Sequence, residues 1–247
     1  MTNESPTPDP APLTIEQWRT RFRSALDHLN GRSTAWTRLI WPGDLRVPEA
    51  DSPAKDSPVR LILSGSFNPL HRGHQQMARL AAQHSGEPVW YELSIHNAEK
   101  NPLSDQQLWS RLISALPVQA ADGVVVGSPK PTKSFWPHGL LLSTLPTYAE
   151  KAAAFPKATF ALGVDTLVRV ADPKFYEHST KKRDDAIQRI AEHECRFLVF
   201  GRLDGKRFFA LQDLSLPQAL RDLCSEIGEG SFREDISSTE IRNRNTS

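Results

Sequence analysis

The run Leu61-Ile62-Leu63-Ser64-Gly65-Ser66-Phe67-Asn68-Pro69-Leu70-His71-Arg72-Gly73-His74 constrains this chain more than any other stretch. Val59 to Leu63 is a short apolar run with β-branched members and reads as a strand. Gly65 lets the chain turn without a Cβ clash, and Pro69 stops the strand from continuing. Gly73 keeps the backbone bare where a ligand would approach closely. From His74 the apolar period changes, and Met77, Leu80 and Ala81 fall on one helical face. A strand feeding a helix through small residues aims free backbone N–H groups and the positive end of a helix dipole at whatever lies in front. That is a site suited to phosphate. His71 and His74 flank it, and each imidazole can donate a hydrogen bond to a phosphate oxygen.

A chain of 247 residues is long enough for one α/β domain with a full core and an extra arm. Lys and Arg total 30 against 29 Asp and Glu, a net charge of +1, so no large basic field argues for nucleic acid. No apolar run reaches membrane-spanning length, and the Met-Thr-Asn-Glu-Ser-Pro start lacks a basic-then-apolar signal pattern. The two cysteines, Cys195 and Cys224, have neither a CxxC partner nor histidines at metal spacing, so both are expected in the core and a cytoplasmic setting is expected.

Residues 1–13 carry four prolines among polar residues and read as a disordered tail. Thr14 and Gln17 have capping-box spacing, and Trp18, Phe22, Ala25 and Leu29 share a face, which predicts a helix over 14–30. Residues 31–57 look irregular and end in a polar linker, so 1–57 is taken as tail, helix and linker, with the helix packed on a main domain at 58–247. From Val59 strand-like and helix-like stretches alternate. Strands are expected at 89–95, 123–127, 158–163 and 196–201, a hairpin turn at Asp204-Gly205 leading to 207–211, and a short strand at 231–234. Helices are expected from Ser104, over 148–155, 184–193 and 216–227, with Cys224 on a helix face, and from Ser238. This alternation implies an α/β fold with a mostly parallel sheet and helices on both faces, whose ligands bind beyond the carboxyl ends of the strands.

Gly-Ser-Phe-Asn-Pro-Leu-His-Arg-Gly-His resembles the GxFxPxHxGH motif of the cytidylyltransferase-like nucleotidyltransferases, the HxGH superfamily. Ile236-Ser237-Ser238-Thr239-Glu240-Ile241-Arg242 is similar to that superfamily's ISSTxxR motif, in the family order. The resemblance covers roughly Arg60 to Arg242 and implies a Rossmann-like three-layer α/β/α fold with an N-terminal helical arm. It assigns His71, His74 and Arg242 to catalysis. It places Gly65, Ser66, Phe67, Asn68, Gly73, Gly163, Asp165, Ser237, Ser238 and Thr239 around the nucleotide, with Mg²⁺ bound mainly through phosphates. In such a transfer a phosphate oxygen of one nucleotide attacks the α-phosphorus of a triphosphate, and pyrophosphate leaves. The nucleophile is already anionic, so the work is alignment and charge neutralisation rather than strong general-base catalysis.

Three details narrow the substrate. His71 stands where pantetheine-phosphate adenylyltransferases usually carry Thr, and Ile-Ser-Ser-Thr differs from the Arg-Thr-x-Gly-Ile-Ser-Thr-Thr form of cytidylyltransferases. Phe160-Ala161-Leu162-Gly163-Val164-Asp165 resembles the strand ending in Gly-x-Asp of nicotinamide or nicotinate mononucleotide adenylyltransferases. The resemblance therefore implies ATP and a mononucleotide as partners and a role in NAD biosynthesis. Tyr176 stands where those enzymes place a Trp that stacks on the pyridine ring; Lys100, Trp136 and Arg202 are further substrate-binding candidates. Two alternatives stay open: cytidylyl or adenylyl transfer to another phosphate ester, and a nucleotide-binding regulator without catalysis.

Overall fold

Apolar runs of four to six residues, each too short for a buried helix, pair side by side because each buries side chains on both faces. The computed structural model of the chain describes residues 14–31, 34–40, 58–96, 103–115, 118–119, 125–126, 138–204 and 207–232. Its strands are β1 (Trp36–Ile40), β2 (Leu61–Ser64), β3 (Val89–Ser94), β4 (Val118–Gln119), β5 (Val125–Val126) and β6 (Gly139–Ser143). They continue with β7 (Thr159–Gly163), β8 (Arg196–Phe200), β9 (Arg202–Asp204), β10 (Arg207–Phe209) and β11 (Cys224–Ile227). The helices are α1 (Ile15–Asn30), α2 (Arg72–Ser85), α3 (Asp105–Ala115), α4 (Tyr148–Ala154), α5 (Val164–Ala171), α6 (Thr180–Glu192) and α7 (Gln218–Arg221).

Seven strands form one sheet in the order β1-β6-β3-β2-β7-β8-β11, parallel throughout except that β1 runs antiparallel to β6. The six parallel strands, counted along the chain, stand in the doubly wound order 3-2-1-4-5-6. Alternate residues of each strand serve opposite layers. Leu61, Leu63 and Tyr91 join the core under α1, α2 and α3, where Trp18, Phe22, Ala78, Ala81, Leu108 and Leu112 are buried. Ile62, Trp90, Phe160 and Phe197 join the core under α4 to α7, with Ala152, Leu167, Ile187, Ile190 and Leu220. The fold is therefore Rossmann-like α/β/α. Among the described residues no helix is long and apolar enough to cross a membrane.

α1 carries the capping box its sequence announces: the Thr14 N–H donates to Gln17 Oε1 (2.8 Å), and the Gln17 N–H donates to Thr14 Oγ1 (3.3 Å). Ser104 and Gln107 repeat the arrangement before α3. Several expectations need correction. Within 31–57, read as irregular, β1 closes one edge of the sheet. Among the described residues Val125–Val126 pairs with β4 and does not join the main sheet, and the third parallel strand is instead β6, whose Leu140, Leu141 and Leu142 are fully buried. The helix expected over 216–227 is one turn, α7, followed by strand β11. Cys224 accordingly lies on a strand, because the open edge of β8 takes up this backbone as a parallel neighbour. α6 begins at Thr180, four residues earlier than expected, because the Ser179 hydroxyl accepts the Lys182 N–H as its cap. The segment read as 207–211 stops at Phe209, since Leu211–Asp213 forms a 3-10 turn. Ser231 and Phe232 form a turn rather than a strand, with the Phe232 ring against Phe200; 233–234 and the helix expected from Ser238 lie outside the described residues. Burial raises both thiols, Cys224 to about 12, so neither is a nucleophile at neutral pH.

Candidate active site

β2 and β7 are neighbours, yet the chain leaves β2 for α2 on one face and β7 for α5 on the other. Their connections diverge at the carboxyl edge and open a crevice, the position where open α/β sheets take ligands. Both connections carry residues singled out from sequence. Gly65 to His71 link β2 to α2, with Gly73 buried in the first turn of α2, while Gly163 ends β7 as the N-cap of α5 and Asp165 lies in its first turn. The start of each helix aims backbone N–H groups at this edge.

The β2–α2 loop is tightly folded. Phe67 adopts φ 42°, in the left-handed region, and the Asn68–Pro69 peptide is cis. The Phe67 ring is buried, 5.1 Å from the Tyr91 ring and 5.2 Å from that of His74. It also folds back over Gly65, where an added Cβ would lie 2.7 Å from it, so only glycine fits there. The Gly65 N–H donates to the Glu92 carbonyl (3.0 Å), and Arg111 Nη1 of α3 donates to the Ser66 carbonyl (3.1 Å).

His71 is the N-cap of α2, and His74 stands at the third helical position. Their rings stack with centroids 3.8 Å apart and planes at 33°. The His71 backbone N–H donates to His74 Nδ1 (3.3 Å), which assigns the ring proton to Nε2. Burial, and then the charge of His71, hold the His74 imidazole down at about 3, so it is neutral at physiological pH. A ring whose Nδ1 lone pair takes an N–H and whose Nε2 carries the proton has no lone pair for a cation. It is a donor for an anion. Among the described residues no group of three or more His, Cys, Asp or Glu could hold a metal ion.

Arg202, just past β8, reaches across to Asp165 (3.2 Å), so the two candidates meet as a half-exposed ion pair. Gly201 before it is forced to be glycine, since a Cβ would lie 2.4 Å from the Phe208 ring and 2.6 Å from the Phe209 carbonyl as the β9–β10 hairpin folds back. Tyr176 lies in a 3-10 turn after α5, and its hydroxyl donates to the Val170 carbonyl (3.1 Å), at the end of α5 remote from Gly163. Lys100, Trp136, Ser237, Ser238, Thr239 and Arg242 lie outside the described residues.

Two features escaped the sequence reading. One is Arg111. The other is a buried polar cluster behind the loop: Lys151 Nζ of α4 meets Glu92 Oε2 (2.6 Å), and the Ser143 hydroxyl donates to Glu92 Oε1 (2.5 Å). Burial, and then the Glu92 charge, push the neighbouring Tyr148 hydroxyl up. The signal was available, because Glu92 interrupts the apolar run Val89 to Leu93 and a buried carboxylate demands a partner.

No curated protein matches the chain. A family model described as cytidylyltransferase-like matches residues 62–244, from the middle of β2 through the second motif. The doubly wound sheet, the motif-bearing first connection and this match over most of the chain place the protein in the cytidylyltransferase-like family.

Proposed function

We propose that the chain is a nucleotidyltransferase that moves the adenylyl group of ATP to nicotinamide or nicotinate mononucleotide. An oxygen of the acceptor's phosphate bonds to the α-phosphorus, the bond from that phosphorus to the bridging oxygen breaks, and pyrophosphate leaves with the electron pair. The observation that carries the reading is the stacked pair His71 and His74 at the start of α2, beside the carboxyl end of β2, with His74 Nδ1 taken by the His71 backbone N–H so that its proton sits on Nε2. In this reading His74 Nε2–H and His71 donate to the triphosphate as charge moves onto the bridging oxygen, without a proton changing hands. Backbone N–H groups of Gly65 to Asn68 and of the α2 start hold the phosphates, and Gly163 and Asp165 face the nucleotide from the other connection. Arg242 supplies a planar fork to the outer phosphates, with Ser237, Ser238 and Thr239 beside it. Mg²⁺, if it is bound as MgATP, would be held mainly through the phosphates and would neutralise their charge, since His74 has no lone pair left to offer a cation.

The mononucleotide acceptor rests on the Gly163-Val164-Asp165 resemblance, with Lys100, Trp136 and Arg202 as candidate contacts. A second reading, transfer to a different phosphate ester, is favoured by Tyr176 standing where the mononucleotide enzymes place a Trp, with its hydroxyl engaged by the Val170 carbonyl. Incubation with ATP or CTP and a panel of phosphorylated acceptors, following pyrophosphate, separates the two. Pyrophosphate with ATP and a pyridine mononucleotide upholds the first reading, and its release only with another ester or with CTP upholds the second. Nucleotide binding without turnover on any acceptor overturns both.

A further inference from the structure

We propose that Arg111 is a positioning residue that locks the Ser66–Phe67 peptide in the orientation the nucleotide loop requires. A left-handed φ is unfavourable for a bulky residue such as Phe67, and it persists only where its surroundings hold it. Rotating the Ser66–Phe67 peptide plane about its flanking Cα atoms would return Phe67 to an extended φ and leave its buried ring in place. The guanidinium of Arg111 blocks that rotation, because Nη1 donates to the carbonyl oxygen of this same peptide (3.1 Å). In a trans peptide the carbonyl and the following N–H point opposite ways, so holding the Ser66 oxygen toward α3 aims the Phe67 N–H away from α3. Arg111 is itself well anchored. Its neighbours Leu108 and Leu112 are buried in the core under α3, which fixes the helix as a platform beside the loop. The charge makes this hydrogen bond stronger than a neutral donor would.

The consequence for nucleotide binding rests on the reading of the site above, whereas the conformational lock does not. The test compares Arg111→Met, which keeps an aliphatic stem without a donor, with Arg111→Lys, which restores a charged donor. Crystal structures report φ of Phe67, and titration with MgATP reports affinity. In Arg111→Met, Phe67 is expected to leave the left-handed region with its ring still against Tyr91, and MgATP binding to weaken about tenfold or more, with Arg111→Lys recovering part of both. Phe67 retained at positive φ in Arg111→Met overturns the proposal. A released Phe67 with unchanged MgATP affinity removes this peptide from the nucleotide site. A released Phe67 in a protein whose wild type binds no nucleotide upholds the lock and overturns the functional reading instead.

Discussion

His74 lies against His71 with ring centroids 3.8 Å apart, and its Nδ1 accepts the backbone N–H of that same residue at 3.3 Å. The contact joins two jobs in one place. It satisfies an N–H at the start of α2, and it leaves the proton of His74 on Nε2, available for donation. Burial first, and then the electrostatic influence of His71, keep His74 neutral.

Stability should therefore depend on pH through His74. Its folded value of about 3 lies below the ordinary 6.5, so between these values the unfolded chain binds more protons. The contribution is complete above pH 6.5 and is lost as pH falls toward 3, by at most about 1.4 kcal/mol per pH unit. Urea midpoints from pH 7 to pH 4 should fall less steeply in His74→Asn than in the wild type. Parallel curves would show that His74 titrates normally.

Turnover should depend on the same ring. His74→Ala removes a donor to charge that develops in transfer, and a loss of roughly 10²–10⁴-fold in pyrophosphate release is expected at unchanged helix content. Wild-type rates in this variant would dismiss the assigned mechanism.

The Glu92–Lys151 pair is nearly shielded from water, and cutting one partner strands the other. Glu92→Gln or Lys151→Met should cost about 3–5 kcal/mol in urea unfolding, whereas Glu92→Leu with Lys151→Met should recover most of that loss. A double-variant cost equal to the sum of the two single-variant costs would mean that the pair is not coupled.

Gly65→Ala places a methyl group 2.7 Å from the Phe67 ring, which is buried and cannot swing aside. Overpacking should lower stability by about 1–3 kcal/mol and weaken MgATP binding, because Phe67 shares its environment with His74. An unfolding midpoint and an affinity equal to wild type would show that the loop relaxes freely.

Much of the fold was legible locally. β2, β3, β7 and β8 appear where apolar runs sit between turn residues, and α1 starts where Thr14 and Gln17 form their capping box. β1, β6 and β11 were missed or displaced, β6 because its leucine run, though buried in the sheet interior, has no β-branched member to mark it as a strand. β1 and β11 are edge strands with mixed exposure, and Cys224-Ser225-Glu226-Ile227 has no strong preference of its own until β8 offers an open edge. Within the candidate site, local structure was legible where it follows from consecutive residues, as in the strand–loop–helix that carries Gly65 to His74. The contact between Ser66 and Arg111, 45 positions apart, was not legible, since only packing brings them together.

Residue order by itself determined the strand–loop–helix at 61–74, the donors it carries and the layered class of fold, because these depend on periodicity and on φ limits within a few residues. The three-dimensional arrangement alone decided that β2 and β7 stand side by side, so that Gly163 and the β2–α2 loop lie at the same sheet edge, and that Glu92 finds Lys151. Those are pairings of distant segments, settled by which burial leaves the fewest polar groups unmatched.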